Sequence, residues 1–296
     1  MRAADFTWPE VPGSGAAPIW TGRGFRVGDR EVPVLSYEVG DSGWTDELTS
    51  FHEEAAGSNH PIDLASRRHA LGQLKKHAPG DAPVILEVGC SSGFLVKEIR
   101  REFPRAFVIG ADYVRGPLEK LARDMPDLPL LHFDLVECPL PSASVDAVVL
   151  LNVLEHIEDD GAALRQLHRV LRPGGVAVIE VPAGPGLYGI YDRMLMHHRR
   201  YSSRGLRSAA EKTGFEILEA SHLGAFVYPG FWLVKKWSRR FLHAGAVEQE
   251  RVVEKNIRYT ERGGWLSWLM DLELWLGERI SFPAGIRCLL TCRRSG

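Results

Sequence analysis

The sequence predicts an α/β protein built on a doubly wound sheet of seven strands, mostly parallel with an antiparallel last strand. Three observations carry this. From residue 84 to about 218, short apolar, β-branched runs alternate with segments of helical spacing. The first run, Val84-Ile-Leu-Glu-Val88, breaks at a glycine turn, Gly89-Cys-Ser-Ser-Gly93, that opens directly into a helix. An acidic residue, Asp112, closes the second run about 20 residues after that turn.

Taken in order, the elements read as follows. Residues 1–78 form an N-terminal arm and a lid helix. The arm is rich in Gly and Pro with scattered aromatics, and hairpin-like pairing fits residues 26–37. A helix starts at Pro61 or Asp63 and runs to about Lys76, with Leu64, Leu71 and Leu74 inward. The core spans 79–223. Its strands are expected at 84–88, 107–111, 130–133, 147–151, 176–181 and 215–218, and its helices at 94–101, 118–123, 162–171 and 204–213. Asp159 or Asp160 caps the third of these helices. Residues 224–284 read as a helical insertion, with a basic–aromatic part at 231–242 and a stripe of Trp265, Trp268, Leu269, Leu272, Trp275 and Leu276. Residues 285–296 supply the last strand, 287–292, antiparallel to the sixth.

Composition sets broad bounds. The 296 residues are 45% hydrophobic and 25% charged, ordinary for a globular protein. A net charge of −2 gives no field that would favour nucleic acid. Four scattered cysteines without a Cys-x-x-Cys pair exclude a disulfide framework and structural zinc. Neither a secretory start nor a membrane-length apolar run is visible, so a reduced, cytoplasmic setting is expected.

The turn at 89–93 is a nucleotide site by construction, since glycines allow close backbone approach and the helix start offers free N–H groups. Its spacing is not the G-x-G-x-x-G of a dinucleotide site, and Glu87 would repel a pyrophosphate. A nicotinamide-dependent oxidoreductase is therefore the weaker reading. Glu87 suits a ligand bearing an ammonium group, and S-adenosylmethionine carries an ammonium, a ribose diol and an adenine but no phosphate. Asp112 would accept from both ribose hydroxyls, and Tyr113 would cover the adenine face.

Glu87-x-Gly89-x-x-x-Gly93 resembles the first motif of the class I S-adenosylmethionine-dependent methyltransferases, whose Rossmann-like sheet ends in an antiparallel strand. Ser91 stands where their usual pattern has glycine, and Cys90 lies within the same loop. The stretch 139–156, Pro-Leu-Pro-Ser-Ala-Ser-Val-Asp-Ala-Val-Val-Leu-Leu-Asn-Val-Leu-Glu-His, resembles the type 11 branch, which includes quinone-modifying members. The resemblance covers about 84–218. It implies that Asp134 and Leu135 meet the adenine, that Asn152 and Val153 flank the methionine part, and that His156 stands near the methyl group and acceptor. A similar Asp and His-x-Arg-Arg-Tyr pattern in that branch marks Tyr191, Arg199, Arg200 and Tyr201 as acceptor contacts. Trp44 and His60, ahead of the first strand, join them as lid contacts in this fold class.

His156 and His198 are the candidate general bases, because imidazoles titrate near working pH. No metal is assigned, as the acidic cluster at 155–160 lacks a recognised ligand spacing. The implied activity is methyl transfer to an O, N or C nucleophile of a small or lipid-linked, anionic acceptor. A catalytically silent S-adenosylmethionine-binding subunit is the alternative. The basic–aromatic part of the insertion suits either a peripheral membrane contact or a helix pair closing the cleft or joining subunits, and the oligomeric state is not readable.

Overall fold

In the computed structural model the described residues are 6–37, 60–238, 240 and 264–296. Strand β5 (Val84–Val88) is buried along its whole length, Glu87 included, as an apolar run in the middle of a parallel sheet requires. It pairs in parallel with β6 (Phe107–Asp112) on one side and β8 (Val145–Leu151) on the other. The full sheet runs β10-β11-β9-β8-β5-β6-β7-β4, where β4 is Leu35–Ser36, β7 Leu130–His132, β9 Leu171–Pro182, β10 Phe215–Leu223 and β11 Arg287–Arg294.

Among the described residues eight strands of this sheet thus stand where seven are expected. The extra one, β4, comes from the arm and lies parallel to β7 at the sheet edge. Strand β11 inserts between β9 and β10 and is antiparallel to both, so the fifth strand as well as the sixth is its partner.

Helices cover both faces, giving one apolar cluster around Leu86, Ile109 and Val148 and another around Ile85, Val108 and Val149. The alternating side chains of each strand feed the two clusters in turn. The core helices are α1 (Pro61–His77), α2 (Phe94–Glu102), α3 (Arg115–Asp124), α4 (Asp160–Val170), α5 (Ile190–Met194) and α6 (Ser203–Lys212). Pro61 begins α1, where its missing N–H costs nothing. Asp159 is the cap of α4, accepting from Ala162 N at 2.8 Å.

The arm is not a loose leader. Strands β1 (Ile19–Trp20), β2 (Phe25–Val27) and β3 (Arg30–Val32) make a small antiparallel sheet. Phe6 and Trp8 pack on Phe107 at 5.7 and 6.1 Å, and Tyr37 Oη donates to Pro9 O. The arm therefore covers the start of β6, the opposite end of that strand from Asp112.

The described parts of the insertion are α7 (Tyr228–Ser238) and α8 (Gly264–Gly277). The tryptophans of the apolar stripe expected on α8 face outward, while its Leu269 packs on the buried side. Leu266, Met270 and Glu273 are buried, while Trp265, Trp268 and Trp275 are more than half exposed. The carboxylate of Glu273 is the cause, since it accepts from Gly224 N and Phe226 N and fixes which side of α8 turns inward. Among the described residues no helix is long and apolar enough to cross a membrane.

Candidate active site

The carboxyl ends of β5, β6, β8 and β9 meet along one rim of the sheet. Glu87, next to last in β5, is buried, and its Oε2 has no hydrogen-bond partner among the described atoms. Burial, reinforced by the neighbouring Asp112 and opposed by Arg67, pushes its carboxyl well above the usual range. Gly89 N and Cys90 N both donate to Ala111 O, at 2.8 and 3.0 Å, so the turn is pinned to the end of β6. Gly89 has φ +79°, and a Cβ there would lie 2.5 Å from Val153 Cγ2. Ser91 itself adopts φ +44°, the left-handed conformation that glycine supplies in the family pattern. Its N–H donates to Asp112 Oδ2 at 2.8 Å, which holds it there. The Cys90 thiol is buried, and burial raises its pKa.

Asp112 Oδ1 accepts from Val114 N at 2.9 Å, so the same carboxylate braces the glycine turn and the strand end. Tyr113 follows, its carbonyl 3.0 Å from His132 Nε2. Asp134 caps a short turn, accepting from Val136 N at 3.0 Å, and Leu135 in that turn is buried. Asn152, just past β8, takes φ +55°. Its N–H donates to Glu180 O at 2.9 Å, and its Nδ2 lies 3.3 Å from Glu180 Oε1. Glu180 also accepts from Ser66 and from Arg287, and Arg287 pairs with Asp63. Helix α1 is thereby tied to the ends of β9 and β11 beside the rim.

The residues expected to meet the acceptor are held in two charged knots. Asp192, fully buried, accepts from Arg200 Nε at 2.7 Å, Gly189 N at 2.8 Å and Lys235 Nζ at 3.1 Å, and meets His197 Nδ1 at 3.2 Å. Burial opposes its charge, but the hydrogen bond with His197 and the cations Arg200 and Lys235 hold the carboxyl well below the usual range. Burial and Arg200 bring Lys235 down to about 8 against the pull of Asp192. Lys235 lies on α7, over the rings of Tyr191 and Phe231, so the insertion closes onto this loop. In the second knot Arg199 pairs with Asp160 and donates to Glu158 O, and Tyr201 Oη donates to Asp160 Oδ2 at 2.8 Å and lies 3.1 Å from Leu154 O.

His60 is the cap residue of α1, its Nδ1 3.9 Å from Asp63. Trp44 lies outside the described residues.

His156 does not meet His198, which is exposed. It meets His197, edge to face, with ring centroids 4.7 Å apart and planes at 86°. Glu155 completes the group, fully buried, with both carboxylate oxygens lacking hydrogen-bond partners among the described atoms. Burial raises its carboxyl to about 8.

Residues 86–179 match the family model described as a methyltransferase domain. A probable S-adenosylmethionine-dependent methyltransferase of Mycolicibacterium smegmatis is 34% identical over 147 residues, 48% of this chain and 54% of the relative. The demethylmenaquinone methyltransferase of Thermus thermophilus is 32% identical over 139 residues, 45% of this chain and 61% of the relative. Over these residues the chain is similar to the class I S-adenosylmethionine-dependent methyltransferases of the type 11 branch. It spans about half the length of the curated relatives it matches. The structure of Haemonchus contortus phosphoethanolamine N-methyltransferase 2 in complex with S-adenosyl-L-methionine superposes with a TM-score of 0.55 at 16% identity. The match takes in 86% of this chain and 59% of that one, and it shows the shared fold.

The methyltransferase domain's rim fits the donor that names its family. A buried, unpartnered Glu87 oxygen is a ready acceptor for a cationic or hydroxylic group. The missing side chain at Gly89 keeps the turn clear of Val153. Residues near the rim that sequence reasoning missed are Glu155, His197 and Lys235. Glu155 and His197 stand 42 positions apart, and the only local signal was the doubled histidine at 197–198, from which the exposed member was chosen.

Proposed function

We propose that the protein transfers a methyl group from S-adenosylmethionine to a nucleophilic oxygen, nitrogen or carbon of a small or lipid-linked acceptor. The observation that carries this reading is the buried carboxylate of Glu87 beside a turn braced by Asp112. The bound donor supplies an electrophilic methyl on a sulfonium. The chain's own part is positioning, which can account for ~7–11 kcal/mol of such a barrier. Glu87 receives the ammonium, Asp112 the ribose hydroxyls, and Asp134 with Leu135 the adenine. Asn152 and Val153 line the methionine part, Asn152 being steadied by Glu180. His156, backed by His197, takes the proton of a protonated acceptor.

The name of the Thermus relative directs attention to a quinol-like or phenolic acceptor, the class in which a nearby base matters most. Tyr191, Arg199, Arg200 and Tyr201 stand on this side; Asp192 counters the buried charges of Arg200 and Lys235, so a preference for an anionic acceptor would rest on the part-exposed Arg199, which pairs with Asp160. The four cysteines are unpaired and buried, which supports a reducing, cytoplasmic setting.

The test is transfer of labelled methyl from S-adenosylmethionine to a panel of phenols, quinols and carboxylates. His156→Ala is expected to lower turnover far more than donor affinity. Arg199→Ala is expected to lower transfer to anionic acceptors more than to neutral ones. Donor binding without transfer to any acceptor or extract component would instead favour a silent binding subunit.

A further inference from the structure

The group formed by Glu155, His156 and His197 asks for an explanation beyond a single base. One ligating atom from each residue lies within 4.8 Å of the other two. Glu155 is 0% exposed, and both its oxygens lack hydrogen-bond partners among the described atoms. A buried carboxylate left so is costly unless a cation or proton meets it.

His197 is set up as a ligand. Its Nδ1 faces Asp192 Oδ1, which leaves Nε2 as the nitrogen for the group. A carboxylate behind an imidazole fixes the ring's tautomer and orientation, the arrangement that supports histidine ligands in metal sites. Asp192 is itself immobilised by Arg200, Lys235 and Gly189 N. The scaffold is also fixed through the backbone. His198 N donates to Glu155 O at 2.7 Å, locking the loop that carries His197 onto the turn that carries Glu155 and His156.

We propose that Glu155, His156 and His197 bind one divalent transition-metal ion of the zinc class. Two imidazoles and one carboxylate, with no thiolate, form a donor set that suits Zn²⁺, Co²⁺, Mn²⁺ or Fe²⁺. Two ligands each about 2.1 Å from an ion stand no more than about 4.2 Å apart, so the side chains close by on the order of 1 Å on binding. Three protein ligands leave at least one coordination position open, as in catalytic rather than structural sites. An oxygen-bearing acceptor is the natural occupant of that position, where the ion, and not His156 as a base, would favour loss of the acceptor's proton. This role rests on the methyl-transfer reading, whereas the binding of the ion does not.

The experiment is dialysis of the chelator-treated full chain against Co²⁺ and, separately, Zn²⁺. Metal content and the visible spectrum of the Co²⁺ form are read, and S-adenosylhomocysteine is titrated into the same samples. One equivalent of metal, with a four- or five-coordinate Co²⁺ spectrum, is expected. His197→Ala and Glu155→Gln should each weaken binding at least 100-fold, more than loss of a supporting hydrogen bond does. S-adenosylhomocysteine affinity should stay within about twofold, since neither residue belongs to the donor rim. If His197→Ala does not fold, Glu155→Gln decides alone, because its oxygens have no described partner to lose. Substoichiometric metal, or metal that binds both variants as it binds the parent, would overturn the proposal and leave the group as a protonated carboxyl among imidazoles. Metal binding without S-adenosylhomocysteine binding would leave the site standing and remove the methyl-transfer reading.

Discussion

Gly89→Ala isolates the turn at the centre of the site. Two penalties follow from the structure. The residue has φ +79°, and placing an L side chain in the left-handed region costs about 1–2 kcal/mol. The new Cβ would also lie 2.5 Å from Val153 Cγ2, so this β-branched side chain must shift to admit it, and such overpacking costs about 1–3 kcal/mol. The sum is about 2–5 kcal/mol. Gly174→Ala is the control, since φ is +80° there and nothing lies within 4 Å of the added Cβ. It should show the first penalty alone. Urea unfolding of parent and variants reads the stability, and calorimetric titration with S-adenosylhomocysteine reads the site. Gly89→Ala should also weaken binding at least tenfold, because Val153 must move, whereas Gly174→Ala should bind as the parent does. Adding Val153→Ala should return about 1–3 kcal/mol to Gly89→Ala by removing the clash. Equal destabilisation of Gly89→Ala and Gly174→Ala, or parental affinity in Gly89→Ala, would refute the account of the turn.

Three other outcomes follow. Asp112→Asn should weaken S-adenosylhomocysteine binding at least tenfold in calorimetry, because one of the two backbone donors on that carboxylate would then face an NH₂ group. Since burial holds Glu87 protonated well above the carboxylate range, meeting an ammonium should release a proton. Binding enthalpy should then depend on the buffer's ionisation enthalpy in the parent and not in Glu87→Gln. Asp192→Asn should destabilise the fold by about 3–5 kcal/mol in urea, leaving Arg200 and Lys235 buried without their counter-charge. The Asp192 carboxyl lies below its unfolded value near 4, so its contribution is complete above that pH and lost only as pH falls below the carboxylate range. That acid-side loss should be absent from the variant.

What the sequence makes legible is what neighbouring residues determine. Val84–Val88, the turn after it and Asp112 form one strand–turn–helix–strand unit, and their placement follows from local pattern alone. Strand β4 escaped because two residues, Leu35 and Ser36, carry no periodicity, and only an exposed edge of β7 makes them a strand. On α8 large apolar residues stand on the buried and the exposed sides alike, so the spacing of the tryptophan stripe did not give the buried face. A single carboxylate, Glu273, chose it by binding the backbone at 224 and 226. His197 was hidden for a related reason. Its partners Glu155 and His156 reach it through a backbone contact from His198 to Glu155 that joins two separate loops.

The position of β11 has a consequence for how the chain is assembled during synthesis. Residues 215–223 have no mate in the sheet until 287–294 emerge, about 60 residues later, because β11 alone links them to β9. At about 5–20 residues per second the wait is on the order of 3–13 s. Throughout it the outer edge of β9 is open to any extended segment nearby, and α7 and α8 are made in the interval. A nascent chain paused between the two strands should therefore be unusually prone to chaperone capture and to pairing with its siblings on the same message.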